Sequence, residues 1–149
     1  MTITPFEILI VLIPSVLGYG LSMICPVSKN AGNEVPFRPP SYVFAIVWPI
    51  LFILLGISMM LAFRMNTKLF WLYFITTVVI VSWTFFYSCL GNKEAGTIIL
   101  ILSVLLIGCC MFFSNNTQRV LLSFLLIWCI FATVLNIYEI QEIEKKNKK

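Results

Sequence analysis

The sequence predicts an all-α integral membrane protein, a five-transmembrane-helix bundle. Three observations carry this. Of the 149 residues, 60% are hydrophobic, and the mean hydropathy is +1.01. Only 11% are charged, against about 25% in an ordinary soluble domain. Those few charges cut the chain into five charge-free stretches, residues 8–28, 39–63, 69–92, 95–118 and 120–138, which contain 21, 25, 24, 24 and 19 residues. A membrane-crossing helix needs roughly 20 mostly apolar residues, so each stretch is one crossing. The length suits one domain, and 1–149 is read as a single membrane domain.

The first helix is expected over residues 6–25. It does not look like a cleaved leader. Glu7 is the sole charge before Lys29, so a basic leading segment is missing, and no small-x-small cleavage site closes the run. Residues 26–39 then form the longest connection, with Pro26, Pro36, Pro39 and Pro40 around Phe37 and Arg38. Long loops in compact domains often act as lids. Proline also suits the first turn of a helix, and the two roles are compatible. Phe37, Pro39 and Pro40 are the candidate lid residues.

The second helix, over 40–63, places Phe44, Trp48 and Phe52 four residues apart on one face. The third, over 69–91, begins with Trp71 near Lys68, as in an interfacial aromatic belt. It ends with Trp83, Phe86 and Tyr87. The fourth, over 95–114, is apolar on every side, as across residues 98–107. Barrel strands alternate apolar and polar residues, so helices rather than strands satisfy the backbone in lipid. The fifth, over 119–139, carries Trp128, Ala132, Leu135 and Asn136 on one face. From Glu139 onward three Glu mix with four Lys. Residues 140–149 read as a charged tail, a solvated helix end and topology signal, with partner docking as the alternative.

Five spans place Lys29, Arg38, Lys93 and the four tail lysines on one side, and Arg64, Lys68 and Arg119 on the other. The excess of basic residues puts the first loop and the C-terminal tail in the cytosol.

Several functions lack residues. The spans contain no ionisable groups except at their ends, which argues against proton or sodium coupling and against a charged selectivity filter. There is no His and no Asp, so a zinc site is not expected. Cys25, Cys89, Cys109, Cys110 and Cys129 lie in or near spans without a C-x-x-C pair, and read as small hydrophobes rather than a disulfide framework. Phosphate loops, Ser-His-Asp sets and paired carboxylates are missing. No nucleic-acid partner is expected; the lipid bilayer is the expected surrounding.

What the spans do contain is aromatic. Trp48, Trp83 and Trp128 sit well inside their segments, and a buried indole N–H needs a partner. Ala132, one turn after Trp128, leaves room beside that ring. Two readings fit: helix packing, or an apolar aromatic pocket for a small molecule.

Residues 39–56, PPSYVFAIVWPILFILLG, resemble the signature P-P-x-[WY]-x-x-x-x-V-W-x-x-L-[YF]-x-x-x-G of the TspO/MBR family, the tryptophan-rich sensory proteins and the mitochondrial translocator protein (peripheral benzodiazepine receptor). Residues 128–136, WCIFATVLN, resemble the family's W-x-x-[FY]-A-T-x-L-N. Weaker matches are Pro14-Ser15 with Gly18, and Trp83 with the Phe85-Phe86 run.

The resemblance implies a five-helix bundle, often a homodimer, with a cavity closed by the first loop. It implies no covalent cofactor. The implied ligands are porphyrins such as protoporphyrin IX, haem-related tetrapyrroles, sterols in animals, and synthetic isoquinoline carboxamides and benzodiazepines. The ligand-binding residues would be Phe44, Trp48, Phe52, Trp83, Phe86, Trp128, Ala132, Leu135 and Asn136. In bacterial relatives two cavity tryptophans support light- and oxygen-dependent porphyrin breakdown; by motif these are Trp48 and Trp128, the candidate catalytic pair of an enzyme reading. The family resides in the mitochondrial outer membrane or the bacterial envelope.

Three function classes follow: a porphyrin receptor or sensor, a porphyrin-degrading enzyme, and a sterol- or lipid-handling or scaffold protein. The sequence departs from the family in the loop, where Glu34-Val35-Pro36-Phe37 stands for K-P-x-W, and before the fifth-helix Trp, where Phe124-Leu125 stands for Pro-Tyr. Sterol-recognition patterns here are too permissive to carry a claim. Ser58-x-x-x-Ala62 is a weak helix-association signal.

Overall fold

The computed structural model describes residues 2–149 and contains five long helices: α1 (Pro5–Ile24), α2 (Ser41–Met65), α3 (Thr67–Thr84), α4 (Lys93–Phe113) and α5 (Asn116–Asn147). A π-helical turn, Phe85–Cys89, extends α3. All five are long and apolar enough to cross a membrane. Only 22% to 39% of the most apolar stretch of each helix is buried inside the protein. Side chains such as Ile98, Leu105, Phe112 and Ile127 therefore point outward, an arrangement that water would penalise and lipid accepts. The molecule is an integral, multi-pass membrane protein.

Helix starts follow from local chemistry. Thr4 and Glu7 form a capping box at α1, and Asn115 with Gln118 forms another at α5. Asn66 and Asn92 cap α3 and α4 through their side chains. Pro40 precedes α2, where a missing N–H costs nothing. Short turns join α2 to α3, α3 to α4 and α4 to α5, and the long first loop joins α1 to α2. Helix α2 packs on α1, α3 and α5, and α4 bridges α3 and α5.

Two glycines set the α1–α2 distance. A Cβ on Gly56 would lie 2.0 Å from the Val11 carbonyl oxygen, and one on Gly18 would lie 2.4 Å from the Phe52 ring. Between α2 and α5 the tie is polar: buried Gln118 Nε2 donates to the Ser58 carbonyl at 2.9 Å. Ser58 and Ala62 are themselves fully buried inside the bundle, so this small-residue pair serves internal packing and gives no outer face for a second copy.

The two ends of the bundle differ. At the short-turn end, Glu7 is paired with Arg64, whose Nη2 donates to Oε2 at 2.8 Å. The other end carries the first loop, the α3–α4 turn and the C-terminal part of α5. Here two expectations need correction. The fifth helix does not stop at 139: it continues to Asn147, so the charged stretch 140–149 is mostly the end of that helix. At 1.5 Å per residue its 32 residues span about 48 Å, against a hydrocarbon thickness of about 30 Å, so its end stands clear of the lipid. Charges stop a span but do not stop a helix. The cysteines are not all isolated either: Cys25 and Cys89 form a disulfide, with Cα atoms 5.2 Å apart. The π-helical turn re-phases the end of α3, which linear spacing does not reveal.

Candidate functional site

The sequence-predicted aromatics divide into two groups. Phe44 meets Trp128 edge-on at 5.5 Å between ring centroids. Trp48 lies 5.5 Å from Phe52 and 6.4 Å from Trp128, the latter nearly perpendicular at 86°. These four rings form one cluster across the α2–α5 seam. Four-residue spacing on α2 aligns Phe44, Trp48 and Phe52, and α5 brings Trp128 opposite. Such offset and edge contacts are the favoured aromatic geometries. Ala132, Leu135 and Asn136, all buried, continue the α5 wall beyond Trp128.

Trp83 and Phe86 do not join this cluster. Trp83 stacks on Tyr87 at 4.7 Å, and Gly96 of α4 admits its indole edge. Phe86 pairs with exposed Phe85. Among the described residues no ring pairing links either to Trp48 or Trp128. Their position is the α3–α4 side of the bundle.

The wall of α5 ends under the first loop. Leu135 Cδ2 would lie 3.1 Å from a Cβ on Gly32, whose φ of 76° is a conformation that glycine alone adopts readily. The loop is folded by Arg38, which donates to the carbonyls of Ala31, Lys29 at 3.0 Å and Pro39 at 3.2 Å, and lies over the Phe44 ring at 5.5 Å. Val35 is buried beneath it. Of the expected lid residues, Phe37 packs edge-on against Tyr138 of α5 at 5.1 Å while remaining half exposed. Pro39 and Pro40 lead into α2, and the Pro39 carbonyl accepts a hydrogen bond from Arg38.

Sequence reasoning missed the polar centre of this end. Glu139 is 1% exposed. It accepts the Gly32 N–H at 2.9 Å, the Tyr87 hydroxyl at 2.7 Å, and an ion pair from Lys93. A second ion pair joins Lys146 to Glu34. The signal was available: Glu139 lies three and seven residues after Asn136 and Ala132, on the same α5 face. Reading it as the start of a tail hid that.

Two cavities are described. One of about 380 Å³ lies along α2 and α5, lined by Val47, Ile50, Leu51, Leu54 and Phe124, all apolar. The other, about 340 Å³, lies under the loop, with Asn30, Glu34, Tyr87, Ser88, Lys93 and Glu139 in its lining. Neither of these two is lined by Ala132. The indole Nε1 of Trp128, that of Trp83 and the Nδ2 of Asn136 are buried without an acceptor. Such orphan donors are uncommon in folded proteins and call for an explanation.

No curated protein sequence matches the chain. The family model described as the TspO/MBR family matches residues 8–141, a range that takes in the α2 signature, the α5 motif, the loop and Glu139. With five apolar helices in the same span, the chain belongs to the TspO/MBR family, and with it to membrane sensor and binding proteins in general.

Proposed function

We propose that this protein is a membrane receptor or sensor that binds porphyrins, such as protoporphyrin IX and haem-related tetrapyrroles, or similar flat hydrophobic molecules. The site is the α2–α5 seam beneath the first loop. The observation that carries this reading is the pair of orphan donors on α5. Trp128 Nε1 and Asn136 Nδ2 are buried without acceptors, two turns apart on the helix face that also bears Ala132. A ligand with a π face for Phe44, Trp48 and Trp128, and acceptor atoms for those N–H groups, removes the cost of leaving them unpaired. The neighbouring apolar groove along Val47 and Leu51 gives an approach from the lipid.

The test is titration of the purified protein in detergent with protoporphyrin IX, followed by tryptophan fluorescence in the dark. Saturable quenching near one porphyrin per chain, weakened in Trp128→Phe and Asn136→Leu, is expected. Unsaturable quenching, or equal affinity in all variants, would sink the reading and leave the aromatics as packing in a scaffold or lipid-handling protein.

A second reading has its own observation. Trp48 and Trp128 are in edge contact, so an electron lost from one indole to a photoexcited porphyrin is readily shared with the other. That favours light- and oxygen-dependent porphyrin breakdown, with these two as the participating residues. Illumination separates the readings: pigment loss that disappears in Trp48→Phe and Trp128→Phe supports the enzyme, and loss unchanged in both removes it. We read the loop end as cytosolic, from the excess of basic residues there. The homodimer rests on the family resemblance.

A further inference from the structure

The disulfide and the charge distribution make conflicting demands on the same end of the molecule. Lys29, Arg38, Lys93 and the four lysines after position 144 are seven of the ten basic residues. All seven lie at the end that carries the first loop. The basic side of a multi-pass protein faces the cytosol, where thiols are kept reduced. Yet Cys25–Cys89 is at that end, joining the start of the loop to the last residue of the π turn. A permanent structural bond does not suit that compartment, whereas a reversible one does.

We propose that Cys25–Cys89 is a thiol–disulfide site that latches the leading part of the first loop to the end of α3, over the polar cavity beside the binding seam, and that a glutathione-class thiol opens it. The proposal rests on the reading of the loop as the cover of a ligand site. Cys89 is exposed, so an attacking thiolate has access. One thiolate adds to a sulfur of the bond, forming a mixed disulfide and releasing the other cysteine as a thiolate, which takes up a proton. A second thiolate then attacks the mixed disulfide, and the second cysteine leaves and is protonated. The protein gains two electrons and two protons, and two thiols become one oxidised disulfide. Oxidised glutathione reverses the sequence.

What reduction releases is set by the remaining contacts. The middle of the loop stays held by Gly32 N–H to Glu139 and by Glu34 to Lys146. The segment from Cys25 to Lys29 has no such partner in α5; Lys29 is exposed and is held only through its carbonyl by Arg38. Reduction therefore frees the leading third of the loop first.

The experiment uses the full-length protein in detergent, equilibrated in glutathione buffers from oxidising to cytosol-like. Maleimide labelling, resolved by peptide, reports Cys25 and Cys89. Trypsin cleavage after Lys29 reports loop opening. Protoporphyrin IX dissociation is followed in parallel. Cys25 and Cys89 should become labelled together, and cleavage after Lys29 should rise about tenfold, as cleavage follows the open population. Cys25→Ser should be cleaved at the reduced rate in every buffer. A bond that persists in cytosol-like buffer, or reduction that leaves cleavage unchanged, overturns the proposal. The thiol and cleavage readouts need no ligand: if they respond while porphyrin does not bind, the latch stands and the porphyrin reading falls.

Discussion

The N–H of Gly32 donates to Glu139 Oε1 at 2.9 Å across 107 residues of sequence. This bond, with the Glu34–Lys146 ion pair, fastens the middle of the first loop to the helix that carries Trp128. Because Glu139 also holds Tyr87 and Lys93, it joins the loop, the end of α3 and the start of α4 at one carboxylate.

Replacing Glu139 by Ala should leave three donors without a partner. Breaking a buried pair typically costs about 3 kcal/mol or more. Thermal unfolding in detergent should register the loss, and amide exchange at residues 31–35 should accelerate. Glu139→Gln keeps an acceptor and should fall between wild type and Ala. Equal stability of all three would mean that the carboxylate contributes nothing to closure.

The two glycine classes give opposite signs. Gly56→Ala drives a Cβ into the Val11 backbone and should destabilise by about 1–3 kcal/mol. Nothing lies within 4 Å of a Cβ on Gly108, so Gly108→Ala should be neutral or stabilising, by up to about 1 kcal/mol. Parallel denaturation of both variants checks the α1–α2 spacing.

Ala132→Leu adds bulk between Trp128 and Asn136. Porphyrin affinity should fall at least about tenfold, roughly 1.4 kcal/mol, and the unfolding temperature should also drop, because Ala132 is buried. Retained affinity would place the ligand elsewhere, with the apolar groove at Val47 and Phe124 as the first alternative.

Gln118→Leu removes both the α5 capping contact and the bond to the Ser58 carbonyl. A cost of about 1–2 kcal/mol follows from the lost bond to a carbonyl that keeps its helical partner and from the lost cap. Unfolding midpoints of this variant and of Asn115→Ala help separate the two contributions, since the second removes the cap and a weak exposed contact to the Met65 sulfur but leaves the Ser58 bond in place.

The five spans were legible because lipid permits so few solutions: a charge-free run of the right length is a helix. The Phe44–Trp48–Phe52 stripe and the Trp128 face were legible for a similar reason, as helical spacing fixes which residues align. Their meeting across α2 and α5 was suggested by motif resemblance and could not come from spacing, which says nothing about which helices adjoin. Trp83 misled: its stripe is equally regular but faces α4, and periodicity carries no partner label. Glu139 and Cys89 were hidden for a different reason. Each owes its role to a contact made far along the chain, and each sits where a rule about spans ends, the first past a hydrophobic run and the second beyond a change in helical pitch.

That change of pitch has a consequence for how the chain tolerates insertion and deletion. The turn Phe85–Cys89 closes through Leu90 N–H to the Phe85 carbonyl at 3.1 Å, one residue wider than an ordinary α turn. Winding these residues as regular α-helix without removing one would swing all that follows by about 100° around the helix axis. Cys89 would then face away from Cys25, and Gly91 and Lys93 would miss their places. The turn thus absorbs one surplus amino acid, so a single deletion within Phe85–Cys89 should be better tolerated than one in the regular part of α3, where nothing takes up the change of phase.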